Sequence, residues 1–316
     1  LVGIKKLCLR VWTAYLEKSL TAYFFLKVLK NNLNAMAIYK TSASGWDLSN
    51  IFSFEGQQIR YGILGDGEPL VLLHGTPFSS VVWRKIAPYL ARHRRVFYFD
   101  LLGYGKSEKR SGQDVSLGIQ NLLFTALLDH WQIDLPDVVA HDFGGTTALR
   151  AHLLNNCNYR SLTLIDPVAI GPSGSELVQA AKDHEQTFTN LPAYIHEAIL
   201  RAYVGGAVFN PLSDQEMQLY LEPWLGAEGQ AAFYRQIAQM SDRYTDEIEP
   251  QYSNIRCPVT ILWGEQDSWI PLEKGKQLAQ RIPKSELHVI SESRHLVQED
   301  APEAIIAIVN DFLLKV

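Results

Sequence analysis

The stretch Val138-Val139-Ala140-His141-Asp142-Phe143-Gly144-Gly145 sets an aspartate between small residues, Ala140 two before it and Gly144 two after. An apolar run leading straight into a helical pattern, with small neighbours around one reactive side chain, matches a nucleophile elbow. Such an elbow is a sharp strand-to-helix turn that lifts the side chain above a sheet. The usual serine is replaced here by Asp142, and an aspartate that merely caps the following helix is the competing reading. Further on, Val259-Thr260-Ile261-Leu262-Trp263-Gly264-Glu265-Gln266-Asp267 places an acid just past another apolar run. Ser291-Glu292-Ser293-Arg294-His295 follows the next run. The chain order is then nucleophile Asp142, acid Asp267, base His295, with Glu265 and Asp166 as other acids near strand ends. A carboxylate nucleophile suits attack on saturated carbon. Serine would leave an ether that water does not cleave, whereas aspartate leaves an ester that histidine-activated water can hydrolyse beside an oxyanion hole. His295 is idle in the first displacement and the general base in the second, with Asp267 fixing its tautomer. Upstream, His74-Gly75-Thr76-Pro77 follows the apolar run 70–73. A turn there would offer the Thr76 backbone N–H to the oxyanion, with Phe143, next after the nucleophile, supplying the second.

These residues need a scaffold, and the pattern around them supplies one. Residues 51–54 and 58–64, with turns at Glu55-Gly56 and Gly65-Asp66-Gly67, read as a β-hairpin. Apolar runs at 70–73, 96–99, 138–140, 162–165, 259–263 and 287–290 then alternate with helical spacing over 83–93, 115–131, 145–155, 272–281 and 302–314. Strand–helix alternation of this kind predicts a mostly parallel central sheet with helices on both faces. Between about residues 168 and 252 only helical patterns occur, which predicts a helical lid inserted over the strands' C-terminal ends. The expected division is a core of residues 46–167 and 253–316, the lid at 168–252, and an extension at 1–45.

Composition narrows the function. The 316 residues are 47% hydrophobic and 20% charged, and Lys+Arg 29 against Asp+Glu 34 gives a net charge of -5. A nucleic-acid binder needs a basic footprint, so that class is set aside. Cys8, Cys157 and Cys257 are too few and too far apart for a disulfide frame or a zinc site, which points to a reducing, cytoplasmic setting. The histidines other than His74 and His295 show no metal-ligand spacing, so neither metal nor cofactor is expected. Residues 1–35 carry six basic side chains against the single acid Glu17, and their longest uncharged run is too short to span a bilayer. They read as a basic amphipathic helix lying on a membrane surface or on the protein itself, as a targeting segment, or as sequence upstream of a natural start at Met36.

Four motifs together resemble the α/β-hydrolase superfamily, and within it the aspartate-nucleophile branch of epoxide hydrolases and haloalkane or haloacetate dehalogenases. They are His74-Gly75-Thr76-Pro77, Asp100-Leu101-Leu102-Gly103-Tyr104-Gly105-Lys106-Ser107, His141-Asp142-Phe143-Gly144-Gly145, and His295 with Gln298-Glu299-Asp300-Ala301-Pro302-Glu303. The resemblance implies an α/β-hydrolase fold, Asp142, His295 and Asp267 as the catalytic set, and a small apolar substrate. Haloalkane dehalogenases usually place Asn after His-Gly and Trp after the nucleophile to hold the departing halide. Here Thr76 and Phe143 stand there, and Trp224 or Trp269 would have to supply the indole N–H. Haloacetate dehalogenases carry Arg after the aspartate, which is also missing. Epoxide hydrolases protonate the epoxide oxygen with lid tyrosines, and Phe233-Tyr234-Arg235-Gln236 resembles their lid segment through Tyr234. The first lid tyrosine has no clear match among Tyr194, Tyr203 and Tyr220. The expectation is therefore epoxide opening, with dehalogenation as the alternative and an esterase or a non-catalytic small-ligand binder behind both.

Overall fold

The computed structural model describes residues 46–316. The basic stretch at 1–45, with every expectation attached to it, lies outside the described residues. An eight-stranded sheet organises the rest, in the order β1-β2-β4-β3-β5-β6-β7-β8. The strands are β1 (Asn50–Phe54), β2 (Gln57–Leu64), β3 (Glu68–Leu73), β4 (Arg94–Phe99), β5 (Asp137–His141), β6 (Ser161–Ile165), β7 (Val259–Gly264) and β8 (Glu286–Ile290). β1, β2 and β4 pair antiparallel, and every other pairing is parallel. The β1–β2 hairpin turns on two residues at positive φ, Glu55 (49°) and Gly56 (73°), the backbone that a tight hairpin with right-handed strand twist requires. Strands β5, β6 and β7 are buried at every position, as continuous apolar runs covered on both faces must be.

Helices Leu117–Trp131 and Phe143–Leu154 pack on each other, and Leu272–Arg281 packs on β7 and β8. The helix expected over 83–93 is instead a 3-10 turn, Ser80–Lys85, followed by a single helical turn, Ala87–Leu90. Pro88 sits in the first turn of the second piece, where its missing N–H suits a helix start and not a helix interior. Between β6 and β7 the described residues form helices and 3-10 turns only, among them Glu176–Asp183, Ala193–Gly206, Asp214–Leu221 and Gly226–Ala238. No helix among the described residues is long and apolar enough to cross a membrane.

The strand order decides where chemistry can gather. From β3 the sheet runs outward through β4 on one side and through β5 on the other. The loops after β3 and β5 therefore face each other across a switch point at the strands' C-terminal ends. Leu73 and Ala140 are register partners, so the turn at Gly75-Thr76 comes to lie against Asp142.

Candidate active site

Asp142 follows β5 directly, with φ 51° and ψ −119°, and begins the helix Phe143–Leu154. A side-chain-bearing residue held in this region is strained by about 1–3 kcal/mol, so the surrounding packing has to impose it. The small neighbours show how it is imposed. A Cβ at Gly144 would press on the backbone oxygens of Leu73 and His74, and one at Gly75 would collide with the Asp142 carboxylate itself. That close approach lets the Thr76 backbone N–H donate to Asp142 Oδ1 at 2.6 Å. The side chain of Asp142 caps no helix, which removes the competing reading for it.

The other oxygen faces the histidine. His295 Nε2 stands 3.4 Å from Asp142 Oδ2, and His295 Nδ1 donates to Asp267 Oδ2 at 2.8 Å. Asp267 Oδ1 accepts from the backbone N–H groups of Trp269 (2.8 Å) and Ile270 (3.0 Å), which locks the carboxylate in orientation. Both carboxylates and the imidazole are buried. Burial alone would push the imidazole down. The charge of Asp267, the hydrogen bonds to both carboxylates and the charge of Asp142 outweigh it and hold His295 well above its ordinary value. The loop carrying His295 is pinned twice more: His141 Nε2 donates to the His295 carbonyl at 2.9 Å, and the Arg294 N–H donates to Asp300 Oδ2 at 3.0 Å. Burial, with the nearby His295 charge, pushes His141 down to about 3, so it stays neutral and structural.

Asp166, just past β6 at φ 40°, is a third carboxyl at this edge. It is fully buried, and its Oδ1 accepts from the Gly264 N–H at 2.9 Å while Oδ2 has no partner. Burial first, and then the charge of Asp267, push it well above the usual carboxylate range. Asp166 is therefore the acid at this edge that tends to keep its proton, because two adjacent buried carboxylates do not both ionise. Of the two other acids considered for the role of His295 partner, Glu265 is exposed at the surface.

A cavity of about 140 Å³ opens onto Asp142, walled by Thr76, Phe143, Tyr203, Trp269 and apolar side chains including Val168 and Ile270. Trp269 stacks on both His295 (4.9 Å between ring centroids) and Tyr203 (4.3 Å). The other two residues expected to meet the substrate are engaged elsewhere. The Trp224 indole donates to the Pro77 carbonyl at 2.6 Å, and the Tyr234 hydroxyl donates to His196 Nδ1 at 3.0 Å, both inside the buried interior. Helical geometry accounts for this placement of Tyr234. Gln236, two residues on and about 200° around the same helix, turns the other way. It accepts from the Thr76 hydroxyl (2.7 Å) and the Tyr104 hydroxyl (3.1 Å). Of the tyrosines between β6 and β7 named above, the one that lines the cavity is Tyr203, on the helix Ala193–Gly206. Burial and the Asp142 charge raise its phenol, so it remains a proton donor. Tyr194 is exposed, and Tyr220 is bonded to Arg84 and Glu299.

Two neighbouring features are structural. His74 accepts from the Leu101 N–H and donates to the Gly75 carbonyl. Asp100 clasps the N–H groups of Ser80 and Lys106 at 2.7 Å each, so its glycine-containing loop is a backbone knot and not a phosphate cradle. Among the described residues, no group of three or more His, Cys, Asp or Glu side chains is placed to hold a metal ion.

The fold that carries this site is found in known proteins. Residues 68–302 match the model of the alpha/beta hydrolase fold family. A solved structure of an alpha/beta hydrolase fold protein from Burkholderia ambifaria is 57% identical, with a TM-score of 0.83 over 84% of this chain and 98% of that one. A 2-hydroxy-6-oxo-2,4-heptadienoate hydrolase of Pseudomonas putida is 28% identical over 79% of this chain and 90% of its own length. A haloalkane dehalogenase of Agrobacterium tumefaciens shares the fold at 21% identity, with a TM-score of 0.72 over 84% of this chain and 95% of that one. The strand order, the elbow at Asp142 and these matches lead to one conclusion: the chain belongs to the alpha/beta hydrolase fold family.

Proposed function

We propose that this hydrolase opens epoxides through an aspartyl ester. The observation that carries the reading is the placement of Asp142, with one oxygen on the Thr76 N–H, the other 3.4 Å from His295 Nε2, and Tyr203 beside it in the lining of the same cavity. Asp142 Oδ2 attacks an epoxide carbon, the C–O bond breaks, and the epoxide oxygen takes a proton from Tyr203, which regains it through solvent. Forming the ester removes the Asp142 charge, one of the causes that hold His295 protonated, so the imidazole falls toward its ordinary range and releases its proton to solvent, balancing the one that Tyr203 takes up. Neutral His295 then takes a proton from water, and the hydroxide adds to the ester carbonyl, whose oxyanion sits on the Thr76 and Phe143 N–H groups. Collapse expels the diol oxygen, which takes the His295 proton, and leaves Asp142 as the acid; its proton passes to the now neutral His295, which restores the carboxylate–imidazolium pair.

The alternatives lack matching groups. Phe143 has no side-chain N–H and the Thr76 hydroxyl is bonded to Gln236, so neither residue flanking the nucleophile offers a departing halide a side-chain donor. The Pseudomonas putida relative is named for a hydroxy-oxo-dienoate. In this chain an aspartate attacking an acyl carbon would form an anhydride, no easier to reach than the starting bond. The test is intact-mass analysis of His295→Gln with a panel of epoxides, haloalkanes, haloacetates and acyl esters. An epoxide should leave a stable adduct of its own mass, absent in Asp142→Asn. No adduct with any epoxide, or an adduct formed only with haloalkanes and lacking the halide, overturns the reading.

A further inference from the structure

The wall of the same cavity contains an ammonium that the mechanism does not use. Lys274 lies in the first turn of the helix Leu272–Arg281. Its Nζ donates to the carbonyls of Ile170 (2.9 Å) and Pro172 (2.7 Å), which engages two of its three N–H bonds. Among the described residues no carboxylate forms an ion pair with it. The neighbouring Glu273 turns to Lys276 at 3.3 Å, and Asp242, the nearest anion by its influence, accepts from the N–H and hydroxyl of Ser173. The start of a helix is also the positive end of its dipole, an unfavourable place for a cation. Partial burial adds to that and pushes the ammonium below its ordinary value. A half-buried cation at a positive helix end, in no ion pair among the described residues and with one donor unused, is a site for an anion that the protein itself does not supply. Ser175, exposed in the lining of the same cavity, accepts a hydrogen bond from the Val178 N–H. A single unused ammonium N–H and one positive charge suit a singly charged carboxylate better than a phosphate. The lining of the same cavity also carries the apolar side chains of Val168, Ile170, Val178 and Ile270.

We infer that the substrate is amphiphilic: an apolar carbon skeleton with its reacting carbon at Asp142 and a carboxylate at its other end, received by Lys274. This rests on the aspartyl-ester reading for the reacting end only. The test of the anionic end needs no turnover. Butanoate, hexanoate and octanoate, and the corresponding alcohols, would be titrated calorimetrically into the full chain. The best alkanoate should bind about tenfold more tightly than its alcohol, the scale of one hydrogen bond to a charged group. Lys274→Gln should erase that preference without changing alcohol affinity, and Lys274→Arg should keep most of it. Alkanoates binding no more tightly than alcohols to the wild-type chain would overturn the inference, whatever the variants do. The same holds if Lys274→Gln folds and the preference survives. Failure of the two readings is separable. An alkanoate preference without any epoxide adduct sinks the aspartyl-ester reading alone, and turnover of neutral epoxides without that preference sinks this one alone.

Discussion

The C-terminal edge of the sheet and the helical insertion above it are held by different forces. At the edge, backbone geometry does the positioning: Asp142 by its elbow and the Thr76 N–H, Asp267 by two backbone N–H groups, Asp166 by the Gly264 N–H. The insertion is tied down largely by side chains. Glu299, buried near His295 in sequence, receives Arg84, Lys85 (2.6 Å) and the lid's Tyr220, while Lys85 also reaches the lid's Glu216 at 3.0 Å. Gln236 reaches down to Thr76, and Asp300 accepts from the N–H groups of Phe209 and Asn210. Backbone bonds within a register have one solution. Side-chain bonds across an interface are more exposed to solvent, charge and substitution. Chemistry should therefore fail with changes at the edge, and substrate selection and stability should shift with changes above it.

The largest expected effect is at the elbow. Asp142→Asn should reduce turnover by on the order of a thousandfold or more with the fold intact, measured by single-turnover product formation and circular dichroism. Residual turnover within tenfold of wild type would mean that water attacks the substrate directly.

Next come the paired carboxyls, where the comparison sharpens within the edge itself. Asp267→Asn should cost about a hundredfold or more in kcat, because His295 loses its orienting charge. Asp166→Asn replaces a neutral acid with a neutral amide and should stay within about tenfold of wild type. The pH dependence has a definite sign. A carboxyl raised in the folded state holds a proton there that the unfolded chain has already released. The folded state therefore loses stability as pH rises above the ordinary carboxylate range of about 3.9. Asp166→Asn removes that loss, so its Tm relative to wild type should climb between acidic and neutral pH. A constant difference would mean that Asp166 is ionised.

Above the edge, Gln236→Ala leaves the Thr76 and Tyr104 hydroxyls without their acceptor and should cost about 1–3 kcal/mol of stability in urea unfolding. It should raise KM more than it lowers kcat if the lid contact serves selection. The smallest effect is at the lid's surface ion pairs. Burial would raise Glu216, but the hydrogen bonds from Ser213 and Lys85 prevail and lower it to about 2. Its contribution is present at neutral pH and disappears as pH falls from the ordinary carboxylate range toward 2. Glu216→Gln should flatten that part of the Tm profile by no more than about 1 kcal/mol and remove its salt dependence.

What could be read without coordinates follows from locality. Apolar runs separated by turn residues mark β3 to β8, because strand burial and turn backbone are settled by neighbours a few residues apart. Small residues flanking Asp142 announce a sharp turn for the same reason, and an acid and a histidine after the last two strands must emerge at the same edge in a parallel sheet. The three side chains those motifs single out are the ones found 2.8 and 3.4 Å apart. Packing decided the rest. Tyr203, Tyr220 and Tyr234 all sit on amphipathic helices, and their spacing does not say which face meets the cavity and which meets another helix. The choice between Asp166 and Asp267 likewise depends on two carboxyls from adjacent strand ends sharing one dry space. Proximity and burial set which of them keeps its proton, and neither is a property of the chain until it has folded.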